Sequence, residues 1–164
     1  MTIVELLVAY IIVVWIGFRL IIPHLGFSKE PVPQTIPPGL AQKIEDLNKS
    51  SQTNYEFLER AYAYITSTYS GGRIKTITHF LRGFGDMCTK DPGFLPCTGQ
   101  NFLLRTMLVK SGRFSEDDIR VITVPLNLFI HQYLKVKVDG KEIDVDPWSH
   151  FLGVPLGKHS TFFG

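Results

Sequence analysis

The chain begins with a long apolar stretch. Residues 3–22 are almost wholly hydrophobic, and the charged residues among them, Glu5 and Arg19, lie near the ends of the stretch. About 20 such residues are needed to cross the hydrocarbon core of a bilayer. A cleaved signal peptide fits less well, because no Lys or Arg precedes the stretch and no clear small-residue cleavage site follows it. A buried helix of a globular domain seldom needs so long an apolar run. We therefore predict a single-pass membrane anchor over residues 1–25.

A proline-rich segment follows the predicted anchor. Prolines recur between residues 31 and 38, where they fix φ and cannot donate hydrogen bonds, so residues 26–38 are expected to form a stiff, extended linker. Residues 39–164 then have the length of one domain. Arg19 and Lys29 follow the apolar stretch and weakly favour a cytoplasmic domain, but an exported domain behind an N-terminal anchor is also common. The orientation in the membrane stays open.

The predicted domain opens with helical patterns. Apolar residues at helical spacing predict a short helix over residues 40–47 and a longer helix over residues 54–69. Ser51-Gln52-Thr53 is expected to stop the first helix and cap the second. Residues 74–81 are ambiguous between helix and strand, and the Gly and Pro residues of 83–96 predict a loop.

This loop leads into a helix that is expected to begin at Cys97 and to end near Gly112. Pro96 suits a helix entry, and Gly tolerates the left-handed position after a helix. Counting helical steps from the cysteine gives an inward-facing stripe of Cys97, Asn101, Leu104 and Leu108. A thiol in the first turn feels the positive end of the helix dipole, which favours the nucleophilic thiolate. A lone cysteine can also be a small buried hydrophobe.

After this helix the pattern becomes that of β-strands. Residues 119–124 predict a buried strand, and residues 128–138 and 141–148 predict a further pair. Asp139-Gly140 between the last two is a strong signal for a two-residue hairpin turn. Helices followed by an antiparallel sheet define an α+β fold.

The hairpin turn sets a register, and the register brings polar residues together. On one face His131 is expected to oppose Trp148, and Tyr133 to oppose Asp146. The same face carries opposite-charge pairs, which are Lys135 with Asp144 and Lys137 with Glu142. His131 and Asp146 become diagonal neighbours, roughly 7–8 Å apart between Cα atoms. A carboxylate beside an imidazole can hold its tautomer, although a solvated polar face would show the same residues.

Composition excludes some classes of function. The net charge is only +2, with scattered basic residues, so no footprint for nucleic acid is expected. Glycine-rich phosphate loops are absent, and no cofactor is predicted. Cys97, His131 and Asp146 are acceptable zinc ligand types, but no close Cys-x-x-Cys or His-x-x-x-His spacing supports a metal site. Cys88 and Cys97 could form a disulfide in an oxidising compartment, which would silence Cys97 as a nucleophile.

The order of these features resembles the transglutaminase-like superfamily of papain-like cysteine enzymes over about residues 53–161. The resemblance rests on Pro96-Cys97 with the helix after it, on Ile130-His131-Gln132-Tyr133, and on Val145-Asp146-Pro147-Trp148. Members often carry a Gly before the cysteine region and a Trp two residues after the histidine, where this chain has Pro96 and Tyr133. The resemblance implies helices packed on an antiparallel sheet in a transglutaminase-like core.

Carried over residue by residue, the resemblance implies a catalytic triad. Cys97 would be the nucleophile, His131 the general base and acid, and Asp146 the residue that orients His131. Backbone N–H groups at the helix start could hold an oxyanion; Phe94 and Gln100 lie nearby, but the second donor stays unassigned. Trp148 is expected to shield His131 from water, and Tyr133 to donate a hydrogen bond to Asp146. Tyr133 and Trp148 are also the candidate substrate-binding residues.

We therefore expect a membrane-anchored cysteine enzyme that acts on amide or peptide bonds of a protein or peptide substrate through a thioester acyl-enzyme. Whether it hydrolyses, cross-links or deamidates depends on whether water or an amine resolves the thioester. The alternative is a non-catalytic module of the same fold that binds peptides or serves as structure. The oligomeric state does not follow from the sequence.

Overall fold

The computed structural model describes residues 2–79, 81, 93–126 and 129–161. Its first element is helix α1 (Ile3–Ile21), whose middle part, Ile12–Gly17, winds as a π-helix. The Thr2 hydroxyl accepts a hydrogen bond from the Glu5 N–H and the Glu5 carboxylate accepts one from the Thr2 N–H, a capping box that fixes the helix start. Over 18 residues of α1 the mean hydropathy is 2.2, and only 6% of these residues are buried. The predicted apolar helix is thus confirmed, with the length and composition to cross a membrane.

The helices after the linker lie where their sequence patterns predict them. Helix α2 (Pro38–Ser50) starts with a proline in its first turn, where the missing N–H costs nothing. Helix α3 (Asn54–Thr68) is capped by Thr53, whose hydroxyl accepts from the Glu56 N–H at 3.1 Å. The ambiguous segment after α3 contains a helix, α4 (Arg73–His79).

Helix α5 (Cys97–Lys110) begins and ends as expected, with Pro96 as its N-cap and Gly112 at φ +75° beyond its end. The predicted inward-facing residues Asn101, Leu104 and Leu108 are buried, and burial extends beyond them to every residue from 98 to 108. Helix α3 and the sheet both pack on α5, and the Arg105 side chain donates to the backbone carbonyl of Glu30 in the linker. Helix α5 is therefore the enclosed centre of the domain, and Cys97 lies at the start of this helix.

The sheet has three antiparallel strands in the order β3 (Ile119–Leu126), β4 (Phe129–Val138) and β5 (Lys141–Val145). The α+β arrangement with an antiparallel sheet is thus confirmed. The prediction that 119–124 is a buried strand is wrong, because β3 is an edge strand in which only Ile119 and Leu126 are buried. Its edge position also explains how the strand tolerates Pro125, which cannot donate to a ladder.

The hairpin forms in the predicted register. Asp139 and Gly140 both have positive φ, 50° and 82°, as a two-residue turn of the mirror-image type requires. The ladder pairs are Leu134 with Val145, Lys135 with Asp144, Val136 with Ile143, Lys137 with Glu142 and Val138 with Lys141. Lys135 and Asp144 form the expected ion pair at 2.8 Å, whereas Glu142 pairs with Arg120 of β3 at 2.7 Å.

The last strand is shorter than predicted. It ends at Val145, so His131 with Trp148 and Tyr133 with Asp146 are not ladder pairs, and Trp148 instead starts a 3₁₀ turn, Trp148–Leu152. Pro147 has no N–H for the ladder, and the Asp146 carboxylate accepts from the Ser149 N–H at 3.2 Å. Both effects turn the chain out of the sheet directly after Asp146.

A second, smaller sheet delivers the chain to Cys97. Strands β1 (Tyr69–Ser70) and β2 (Gly93–Phe94) pair in parallel, and the Leu95 N–H donates to the Ser70 carbonyl at 3.3 Å. Neither strand was predicted, since both fall in segments with turn-forming residues. Most of the predicted loop 83–96 lies outside the described residues.

The linker is in contact with the domain along its length. The Lys29 ammonium lies 3.1 Å from the Glu116 carboxylate, and the Lys110 side chain donates to the Gln34 carbonyl at 2.9 Å. Nearer to α1, the Gln132 side chain donates to the His24 carbonyl at 3.2 Å. The end of α1 is therefore held beside strand β4. The boundaries 1–25, 26–38 and 39–164 stay a prediction.

Candidate active site

The candidate nucleophile is the first residue of a buried helix. Pro96 adopts an extended conformation as the N-cap, so α5 starts at Cys97, whose side chain is partly buried and is a free thiol. Cys88, with which a disulfide was considered, lies outside the described residues. The first N–H groups of a helix have no partner within the helix, so the backbone around Cys97 offers hydrogen-bond donors.

His131 connects the thiol to a carboxylate. It lies on the central strand β4 with only 2% of its surface exposed, and its Nε2 donates to Asp146 Oδ2 at 2.7 Å. Cys97 is close enough to the imidazole to contribute to the rise of its pKa. Because Nε2 is occupied by Asp146, Nδ1 is the nitrogen available to the thiol. The structure thus brings the three predicted triad residues together in the order Cys97, His131, Asp146.

Asp146 is held by more partners than His131 alone. Its oxygens also accept hydrogen bonds from the backbone N–H groups of Ser160, at 3.0 Å, and Ser149, at 3.2 Å, and the Ser160 hydroxyl donates to the Ser149 hydroxyl at 2.6 Å. These serines were missed in the sequence analysis. A Ser three residues after an Asp is a turn signal that points to Ser149. Ser160 carries no local signal, because its contact joins distant parts of the chain.

The environment favours a charged pair. Burial by itself lowers the pKa of His131, but the hydrogen bonds to Asp146 and Cys97, together with the charges of these groups, outweigh burial and raise this pKa to about 10. Burial raises the pKa of Asp146, yet the hydrogen bond and charge of His131 and the N–H groups of the serines hold it below its ordinary value. A buried imidazolium stabilised by a carboxylate is the arrangement that general acid–base catalysis uses.

Trp148 covers the imidazole. Its ring centroid lies 5.3 Å from that of His131, and it is itself 6% exposed, so the contact expected between these residues is present although they are not ladder partners. The Trp148 indole N–H is buried and has no hydrogen-bond partner among the described residues.

Tyr133 is engaged elsewhere. Its ring stacks on His159 with the centroids 4.1 Å apart, and His159 Nδ1 in turn contacts Asp144 Oδ2 at 2.7 Å. The expected hydrogen bond from Tyr133 to Asp146 is not found; His131, Ser149 and Ser160 donate to that carboxylate instead. A role for Tyr133 or Trp148 in substrate binding stays a prediction.

The side chain of Gln100, a residue close in sequence to the predicted oxyanion donors, is engaged in another contact. The Gln100 side-chain amide is completely buried and donates to the Leu95 carbonyl at 3.0 Å, so it braces the entry to α5. Within the described ranges, no group of three or more His, Cys, Asp or Glu residues is arranged to hold a metal ion.

Comparison with known proteins returns no relative, since no protein-family model, no curated protein and no solved structure matches the chain. The class is therefore described by its structure: an α+β protein with an N-terminal apolar helix and a partly buried cysteine beside a buried His–Asp pair. The resemblance to the transglutaminase-like superfamily rests on the residues and their order.

Proposed function

We propose that this protein is a membrane-anchored, transglutaminase-like cysteine enzyme that acts on amide or peptide bonds. The observation that carries the proposal is the buried His131–Asp146 pair, with 2.7 Å between the imidazole and the carboxylate, beside the partly buried thiol of Cys97, which interacts with the imidazole. A purely structural cysteine at a helix start has no need of a buried imidazole on one side and a carboxylate behind it. The substrate is a protein or peptide, and α1 is the membrane anchor.

Each residue has a definite task in this reaction. The thiol proton is held on His131 Nδ1, and the Cys97 thiolate of this ion pair attacks the amide carbonyl carbon. N–H groups at the start of α5 stabilise the oxyanion, and the imidazolium then gives its proton to the leaving amine. Water or a second amine attacks the thioester and regenerates the thiol. Asp146 holds the imidazole by its Nε2–H throughout, so that Nδ1 stays turned to sulfur.

The test is the rate of alkylation of Cys97 in the full chain, solubilised in detergent micelles and treated with iodoacetamide between pH 6 and pH 9. Mass spectrometry locates the label, and Cys88 serves as the internal reference. Cys97 is expected to react faster than Cys88 at pH 6–7, because a neighbouring imidazolium stabilises the thiolate. The variant His131→Gln is expected to abolish this difference.

A matched control is available on the same sheet. His159 also contacts a carboxylate at 2.7 Å, that of Asp144, but its ring stacks on Tyr133. His159→Gln should therefore leave the reactivity of Cys97 unchanged. If Cys97 and Cys88 react alike in the wild-type protein, the catalytic proposal fails and a non-catalytic binding module becomes the better explanation of the fold.

A further inference from the structure

We propose that the acyl part of the substrate is a long hydrocarbon chain, so that the enzyme acts on the amide bond of a long-chain N-acyl protein or peptide at the membrane surface. This inference rests on the proposed function and names the substrate class of the same site. It comes from the cavity beside Cys97 and from the segment of the chain that forms one wall of this cavity.

The cavity is apolar and of a definite size. Besides Cys97, its lining includes Pro96, Phe129 and Ile130, and its volume is about 130 Å³. A dry cavity of about 150 Å³ lined by aliphatic and aromatic side chains binds benzene, so this one can take about six carbon atoms. Six carbon atoms beside the thiol correspond to the first part of an alkyl chain.

Part of the wall is the end of the apolar helix. Phe18 and Ile22 line the cavity together with Leu25, of which only 2% is exposed. Phe18 lies in the last turn of α1, and Ile22 is the residue directly after the helix. Phe129, which also lines the cavity, is 52% exposed. When α1 lies in a bilayer, this cavity is at the depth where the span ends, and a chain can enter it from the lipid.

The polar groups of the lining argue against a peptide segment as the occupant. The described lining carries no charged side chain, and its hydroxyl groups are those of Thr76 and Thr98. The Thr76 hydroxyl is already committed to the Gly72 carbonyl at 2.7 Å, and that of Thr98 is buried with no hydrogen-bond partner among the described residues. A peptide backbone would leave several donors and acceptors without partners in such a cavity, at a cost for each. An alkyl chain has none.

The reaction balances with groups already described. Cys97 sulfur forms a bond to the acyl carbonyl carbon, the carbon–nitrogen bond breaks, and the His131 proton goes to the amine that leaves. The long-chain thioester then reacts with water, which gives the fatty acid, or with a second amine, which gives a new amide. No oxidant, reductant or metal is required.

The experiment uses the full chain in lipid nanodiscs and a series of N-acyl p-nitroanilides from acetyl to decanoyl. Each methylene that enters an apolar cavity is expected to raise kcat/KM about fourfold until the cavity is full, at about six carbons. The same series of chain lengths is tested with N-alkyl chloroacetamides, which report the alkylation rate of Cys97 without any turnover.

The control separates the cavity from simple partition into the bilayer. Ile22→Trp places an indole in the cavity. Ile21→Trp places the same indole at the neighbouring position, where the isoleucine side chain is 60% exposed. We expect the dependence on chain length to be lost in Ile22→Trp and kept in Ile21→Trp. Ile130→Trp is the second cavity-filling variant, should Ile22→Trp fail to fold.

The outcomes distinguish this inference from the proposed function. An equal dependence on chain length in both tryptophan variants would mean partition alone and would overturn the long-chain assignment, while turnover of short amides would leave the enzyme proposal intact. If no amide is turned over but the chloroacetamides show the chain-length preference of the wild-type cavity, the long-chain site stands and the catalytic proposal fails.

Discussion

Raising the pH from 7 to 9 is expected to lower the free energy of unfolding of the wild-type protein by about 2–3 kcal/mol through His131 alone. The folded state holds this imidazole at a pKa of about 10, against 6.5 for an unperturbed histidine. Stability from its protonation is fully present below pH 6.5 and is lost as the pH rises through about 10. Between these values the native state binds about one proton more than the unfolded state, which gives a slope of about −1.4 kcal/mol per pH unit that flattens near pH 10.

The assay is urea unfolding of the full chain in micelles at a series of pH values, for the wild type, His131→Gln and Asp146→Asn. His131→Gln removes the titrating group. Asp146→Asn removes the carboxylate charge and the hydrogen bond that raise the pKa of His131, so this pKa falls, because only Cys97 then opposes the effect of burial. In His131→Gln the loss of stability between pH 7 and pH 9 should be smaller by up to about 2–3 kcal/mol, and in Asp146→Asn it should also be smaller than in the wild type.

Comparison with the variants removes the contributions of the titrating groups that do not interact with His131. If all three proteins lose the same free energy between pH 7 and pH 9, the imidazole is not held as a buried cation. His131 and Asp146 would then not form a charged pair, and the proposed acid–base role of His131 would lose its physical basis.

Two further substitutions test the framework around the site. In thermal melts, Gly71→Ala is expected to lower the stability by about 1–3 kcal/mol, because an added Cβ would lie 2.2 Å from the Trp148 carbonyl oxygen. Gly39→Ala is the control: no atom lies within 4 Å of its added Cβ, so it should be neutral or slightly stabilising. Thr53→Ala should lower the free energy of unfolding by about 1 kcal/mol in a urea titration, because the N-cap of α3 is lost, whereas Thr53→Ser keeps the hydroxyl and should keep the stability. An equal loss of stability in both variants would show that the hydroxyl is not the capping group.

Much of the secondary structure could be predicted from the sequence, because its signals are local. A hydrophobic period, a cap and a two-residue turn each act over a few neighbouring residues, and they predicted α1, α2, α3, α5 and the register of the β4–β5 hairpin. The same register placed His131 and Asp146 near each other, since a short turn ties the two strands rigidly together. That pair was therefore within reach of sequence reasoning.

Only the tertiary structure decided how these elements are enclosed. The burial of α5 on all sides, the early end of β5 and the bond from the Ser160 N–H to Asp146 depend on surfaces contributed by segments far apart in the chain. The apolar wall that Phe18 and Leu25 add beside Cys97 has the same origin. No local period specifies such contacts, because they form when distant faces exclude water from one another. The sequence by itself determined the membrane-length helix, the order of the elements and the residue types of the site, while packing decided what surrounds the thiol.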